Sequence, residues 1–106
     1  MPRRVVADID KDVVLTFDNG GGTVGTSSQQ VSSSDVPTRK GVRVLAHPDN
    51  TGRIAVGKSD VTYTSADATD GYILVPGDSI LVPAANVNLV YVIGSATGQM
   101  YRWITA

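Results

Sequence analysis

The sequence predicts an all-β protein, a small antiparallel β-sandwich or barrel, and three observations support this. Short Val-rich runs alternate with turn sequences between residues 40 and 106, at a spacing of about 8–12 residues that is typical of such folds. Every acidic residue is Asp, and Asp favours turns where Glu favours helices. Val and Thr are abundant, and β-branched side chains favour strands. The pattern leaves open whether the fold is a jelly roll, another sandwich or a small barrel.

The first 27 residues are predicted to be an N-terminal extended arm, residues 1–18, and a glycine-rich joint. Four of the six residues from 20 to 25 are glycine, and glycine loses much conformational entropy when it is ordered. Alternatively, residues 13–17 form an ordinary strand of the same sheet, and the glycines form a hairpin loop. The compact β domain is expected to span residues 28–106.

The compact domain is expected to begin with a weak, polar strand at residues 29–34. Seven further strands are predicted at residues 42–46, 53–56, 60–64, 72–75, 79–82, 87–94 and 99–105. Pro76 and Gly77 suit the second and third positions of a type II turn. The run 87–94 is apolar on both faces, which indicates a central strand or one that lies against another chain.

The last predicted strand carries an aromatic pair, Tyr101 and Trp103, on one face, and Met100, Arg102 and Ile104 on the other. Two interpretations are open. The pair faces outward and forms an oligomer or partner contact, or it belongs to the core.

Composition limits the function. The chain has 106 residues, which is enough for one domain, and a net charge of −1, which offers no field to attract nucleic acid or an anionic membrane. It has no cysteine, so disulfides and thiolate sites are excluded. No apolar stretch reaches the ~18 residues of a membrane span. We therefore expect neither nucleic acid nor membrane as a partner.

Short motifs that resemble catalytic or ligand-binding signatures each lack a required residue. Residues 77–81 resemble the Gly-Asp-Ser-Leu signature of a hydrolase family, but the one histidine, His47, precedes Ser79 instead of following it. Residues 8–12 copy the alternate aspartates of a calcium loop without its glycine or its bidentate glutamate. The sequence therefore predicts no enzyme, no cofactor and no metal site.

Three stretches read AHPDNTGRIAVG at residues 46–57, ILVPGDSI at residues 73–80 and VYVIGSATGQ at residues 90–99. Together they resemble small tailed-bacteriophage virion proteins of the head decoration, or cement, type. The likeness covers about residues 40–104 and leaves the arm unmatched.

The resemblance implies a bacteriophage capsid decoration protein that binds the assembled major capsid protein on the outer surface of the virion and stabilises the head. A dimer or trimer would add avidity on a repeating lattice. The arm would supply capsid contacts, with Arg3 and Arg4 on acidic surface. Its apolar anchors would be Val5, Val6, Ile9, Val13, Val14, Leu15 and Phe17.

The alternative function is a receptor- or carbohydrate-binding module of a phage head fibre or tail component. Sugar sites usually need exposed aromatic side chains beside polar groups. The candidates for such a platform are Tyr63, Tyr72, Tyr101 and Trp103.

Overall fold

In the described part of the chain, eight strands form two antiparallel sheets of four strands, which pack face to face as a sandwich. The structure, a computed structural model, describes residues 17–64 and 70–106. The strands are β1 (Asn19–Val24), β2 (Gln29–Gln30), β3 (Val42–Ala46), β4 (Ile54–Gly57), β5 (Tyr72–Leu74), β6 (Ser79–Val82), β7 (Tyr91–Gly94) and β8 (Gln99–Thr105). A 3-10 turn, Val87–Leu89, precedes β7. The described residues include no helix long and apolar enough to cross a membrane.

The strand order is that of a jelly roll. Sheet A runs β1-β8-β3-β6 and sheet B runs β2-β7-β4-β5. The strands pair first with last, β1 with β8, β2 with β7, β3 with β6 and β4 with β5, and alternate pairs fall in opposite sheets. Pairing of β3 with β8 and of β4 with β7 completes the two sheets. One long antiparallel ribbon is thus wound around a single core.

The core lies between the sheets and is built by the alternation of strand residues. In β3, Val42, Val44 and Ala46 are buried, and the residues between them face outward. Ile54 and Leu74 of sheet B meet them from the opposite side and are fully buried. Burial of each of these Val, Ile and Leu side chains contributes about 1.5–3 kcal/mol to the stability of the fold.

The all-β prediction is confirmed, and most predicted strands lie within one or two residues of the observed ones. The turn at Pro76 and Gly77 is also confirmed, because the Asp78 N–H donates to the Val75 carbonyl at 2.9 Å and Gly77 has a φ of +93°.

Two predicted strands are wrong. Residues 60–64 form no strand and lie on the outside of sheet B. The run 87–94 is not one strand, since its first residues form the 3-10 turn. The Asn86 side chain caps this turn by accepting from the Asn88 N–H at 3.1 Å.

The glycine-rich joint is also a wrong prediction. Residues 19–24 form β1, which pairs with β8 over its whole length, from Asn19 opposite Ile104 to Val24 opposite Gln99. The compact domain therefore begins before residue 28. Residues 1–16, and with them most of the predicted arm and of the alternative strand at 13–17, lie outside the described residues.

Candidate functional site

The outer face of sheet A is the candidate binding surface. The cross-strand register places two neighbouring rows of residues on it, Asn19, Ile104, Arg43 and Leu81 in one and Gly21, Arg102, Leu45 and Ser79 in the other. Ile104 and Leu81 are exposed, and Leu45 is half-buried. We call this surface the Arg43–Arg102 face.

Two arginines on this face form no ion pair with a described carboxylate. Neither Arg43 nor Arg102 has an ion-pair partner within residues 17–64 and 70–106. Arg43 Nη1 lies 3.4 Å from Ser79 Oγ, and Arg102 Nη1 donates to the Tyr101 carbonyl at 2.9 Å. Guanidinium groups bind carboxylates through charge-assisted hydrogen bonds, so the face is complementary to an acidic surface.

A shallow cavity of about 370 Å³ lies between the two arginines. Leu45 and Ile104 line it together with Arg43, Arg102 and Gly20. The apolar lining suits a hydrocarbon side chain of a partner protein. The arginines suit a carboxylate next to that side chain.

The glycines of β1 make room for large aromatic side chains on the inner face of the sheet. Gly20 is paired with Trp103, and a Cβ on Gly20 would lie 2.9 Å from the indole. Gly22 is paired with Tyr101, and a Cβ there would lie 2.8 Å from the phenol oxygen. The indole and the phenol therefore cover the glycines directly across from them, which offsets the weakness of glycine in a strand.

Gly21 plays the same part on the outer face. A Cβ at this position would lie 2.6 Å from Cδ of Arg102 and 2.6 Å from the Tyr101 carbonyl oxygen. The Arg102 side chain therefore lies flat over the edge strand, and its guanidinium group is held beside β1.

The outer face of sheet B, in contrast, is covered by the chain itself. Residues 58–64 cross it, and Val61 and Tyr63 pack on Ala55 and Ile93. Ala55, Val61 and Ile93 are buried in this second small core.

The Asp70 carboxylate helps to hold the covering segment. Asp70 Oδ1 accepts hydrogen bonds from the Thr62 hydroxyl and the Thr64 backbone N–H, both at 2.8 Å. The cover is thus an anchored part of the fold.

Tyr101 and Trp103, predicted as one alternative to form an outward partner contact, face the core instead. They are 3% and 8% exposed. The Tyr101 hydroxyl donates to the Val31 carbonyl at 2.8 Å, which satisfies its polar end inside the sandwich. The outward interpretation is wrong, and the core interpretation is confirmed.

The predicted arm contacts are, with one exception, outside the described residues. These are Arg3, Arg4, Val5, Val6, Ile9, Val13, Val14 and Leu15. The exception, Phe17, is exposed and lies two residues before the start of β1.

The stretches at residues 46–57 and 90–99 meet at one end of the sandwich, next to Met100. Asn50 bonds the backbone of Met100 twice, its Oδ1 accepting from the N–H at 2.7 Å and its Nδ2 donating to the carbonyl at 2.8 Å. The buried Gln99 accepts from the Gly52 N–H at 2.8 Å and donates to the Thr97 carbonyl at 3.1 Å. Here the motif residues hold loops in place.

The residues of the rejected motifs are apart in space or paired otherwise. Ser79 Oγ contacts Arg43, and His47 Nδ1 accepts from the Asp49 N–H at 3.1 Å. Among the described residues, no group of three or more His, Cys, Asp or Glu side chains is placed to hold a metal ion.

Sequence reasoning did not identify Arg43 and Arg102 as candidate binding residues. Period-two alternation does place Arg43 beside Leu45 and Arg102 beside Ile104, so each half of the face was readable. Their meeting depends on the pairing of β3 with β8, which joins residues far apart in the chain.

No protein-family description, curated protein or solved structure matches this chain.

Proposed function

We propose that this protein is a bacteriophage capsid decoration, or cement, protein that binds the assembled major capsid protein lattice through the Arg43–Arg102 face. The observation that carries the proposal is the contrast between the sheets. Residues 58–64 cover the outer face of sheet B, whereas on sheet A Leu81 and Ile104 are exposed beside two arginines that form no ion pair with a carboxylate of residues 17–64 and 70–106.

Three further points support a capsid. The resemblance to small phage virion proteins spans about residues 40–104, and jelly rolls are common in viral capsid domains. Fold alone does not determine function, so the face rather than the fold carries the argument. A protein that binds only the assembled shell stabilises the assembled state by mass action, which opposes internal DNA pressure.

The proposed location is the outer surface of the virion head, where a dimer or trimer would multiply weak contacts by avidity. The proposal assigns no catalytic step. Residues 1–16 are proposed as a second contact with the capsid, through the basic and apolar side chains named above.

Co-sedimentation with phage heads assembled without this protein tests the proposal. The variant Arg43→Glu/Arg102→Glu should bind heads at least tenfold more weakly, because two attractive charges become repulsive. The matched control is Arg53→Glu/Lys58→Glu, which makes the same change of charge at two exposed positions that lie outside sheet A. Full binding by the first variant, or equal loss in both, would contradict a role for this face.

The alternative function, a receptor- or carbohydrate-binding module, has less support. Of the four aromatic candidates, Tyr101 and Trp103 are buried, Tyr63 is half-buried and Tyr72 is exposed. One exposed ring is a small platform for a sugar. Binding on a glycan array without binding to heads would favour this alternative.

A further inference from the structure

The edge of β1 is the most open strand edge in the described part of the protein. Each sheet ends in two edge strands, β1 and β6 in sheet A and β2 and β5 in sheet B. β1 has six residues, whereas β2 has two, β5 three and β6 four, and β6 lies between Pro76 and Pro83. Natural edges are usually protected by shortness, proline, lysine or an inward charge, and β1, Asn-Gly-Gly-Gly-Thr-Val, has none of these.

The register shows which backbone groups of β1 point away from the sheet. The Thr105 N–H donates to the Asp18 carbonyl. The backbone N–H and C=O groups of the even-numbered residues of this strand therefore point toward β8. Asn19, Gly21 and Thr23 therefore direct their N–H and C=O groups outward. The Thr23 carbonyl accepts from the Gln29 side-chain amide at 3.1 Å, which shows the same alternation.

Two residues of this edge have backbone groups that are available for hydrogen bonds. All four backbone groups of Asn19 and Gly21 point outward, and no other described residue donates to them or accepts from them. Both residues are exposed. A further strand could form four hydrogen bonds here without displacing a hydrogen bond from residues 17–64 or 70–106.

The charge at this edge indicates what kind of strand fits. The Arg102 side chain lies over Gly21, so a residue paired with Gly21 would place its side chain beside the guanidinium group. A carboxylate at that position gains a charge-assisted hydrogen bond. A second copy of β1 fits poorly, because pairing two such edges would bring two Arg102 side chains together.

We infer that the β1 edge binds an extended, acidic segment of the partner in antiparallel orientation, with carboxylates on the residues opposite Asn19 and Gly21. Antiparallel addition continues the pattern of sheet A, in which every pairing is antiparallel. The inference rests on the proposed binding function, since the edge borders the Arg43–Arg102 face and one partner would contact both.

A peptide titration tests the inference without any capsid. The probe is a capped heptapeptide that alternates valine and aspartate, added to the ¹⁵N-labelled full chain and followed by NMR. We expect the amide signals of Asn19 and Gly21 to shift and to become protected from exchange. A valine–lysine peptide should bind about fivefold more weakly, because attraction to Arg102 becomes repulsion.

Backbone methylation of the peptide tests the register. In the proposed alignment the aspartate N–H groups bond to β1, and the valine N–H groups point away. Methylating the aspartate nitrogens should weaken binding at least tenfold, and methylating the valine nitrogens should leave it within twofold. Equal effects of the two peptides, or no binding of the unmethylated probe, would overturn the inference.

A matched pair of variants tests the edge from the protein side. Asn19→Pro removes an outward N–H and leaves the hydrogen bonds to β8 intact, since proline is tolerated on solvent-facing edges. Asn19→Ala keeps the N–H. We expect the proline variant to bind the peptide about tenfold more weakly than the alanine variant. Similar binding by both variants would contradict the edge as the site.

Two outcomes separate this inference from the proposed function. If the peptide binds as described and heads are not bound, the edge site stands and the capsid proposal fails. If heads are bound equally by Asn19→Pro and Asn19→Ala, strand addition to this edge fails while the capsid proposal stands. Protection of Asn19 and Gly21 that rises with chain concentration alone would overturn the choice of partner in favour of a second copy.

Discussion

Sheet A and sheet B both carry apolar side chains on their outer faces, but these side chains are buried on sheet B and exposed on sheet A. On sheet B, residues 58–64 lie over Ala55 and Ile93 and bury them. On sheet A, the corresponding outward residues include Ile104, which is exposed beside Arg43. Among the described residues, the chain therefore covers the outer face of sheet B and leaves apolar side chains of sheet A exposed.

The largest expected difference in the free energy of unfolding comes from an Ile→Ala substitution made on each outer face. Ile93 is 8% exposed and Ile104 is 41% exposed. Ile93→Ala should lower the free energy of unfolding by about 2–4 kcal/mol because it leaves a cavity under the cover. Ile104→Ala should lower it by less than about 1 kcal/mol. Urea denaturation measures both, and equal losses would show that the two faces do not differ.

A smaller effect is expected at the glycines of the edge strand. Gly20→Ala places a Cβ 2.9 Å from the Trp103 indole, so the ring must shift, at a cost of about 1–3 kcal/mol of unfolding free energy. Gly25→Ala is the control, because its nearest neighbour outside the adjacent residues is the Thr97 methyl carbon at 3.8 Å. We expect the control to be neutral or stabilising by up to about 1 kcal/mol. A stable Gly20→Ala variant would mean that the indole does not pack on Gly20 as described.

The glycines also show why strand β1 was not predicted from the sequence. A run of glycines predicts a joint when each residue is judged alone, because ordering glycine is costly. In the structure Gly20 is paired with Trp103, which lies at the other end of the chain and covers it. Strand content was readable because alternation and turn residues are local signals. The cross-strand pairs were not readable, because they depend on strand order.

The same limit explains why the sequence left two interpretations of Tyr101 and Trp103 open. β8 has large apolar side chains on both faces, Met100 and Ile104 on one and the aromatic pair on the other. Period-two alternation separates the faces and does not say which is inside. In the structure, Gly20 and Gly22 lie opposite Trp103 and Tyr101 and leave space for the two rings on the inner face.

The salt concentration should have a modest effect on binding to heads if the two arginines of sheet A make the contact. If Arg43 and Arg102 attract an acidic partner, raising the salt concentration from 50 to 500 mM should weaken binding to heads severalfold, because exposed charges are screened. The variant Arg43→Ala/Arg102→Ala should bind weakly at both concentrations and show little dependence on salt. A salt effect of the same size in wild type and variant would place the attraction on other charges.

The smallest effect is expected at the exposed edge of sheet B. Tyr72 is 62% exposed on β5, and no described hydrogen bond involves its hydroxyl. Tyr72→Ser should change the free energy of unfolding by no more than about 0.5 kcal/mol, as is usual for exposed positions. Binding to heads should stay within twofold, because the residue lies in the sheet opposite the Arg43–Arg102 face. Loss of head binding in this variant would move the contact surface to sheet B, and loss of a glycan signal would assign Tyr72 to a sugar site.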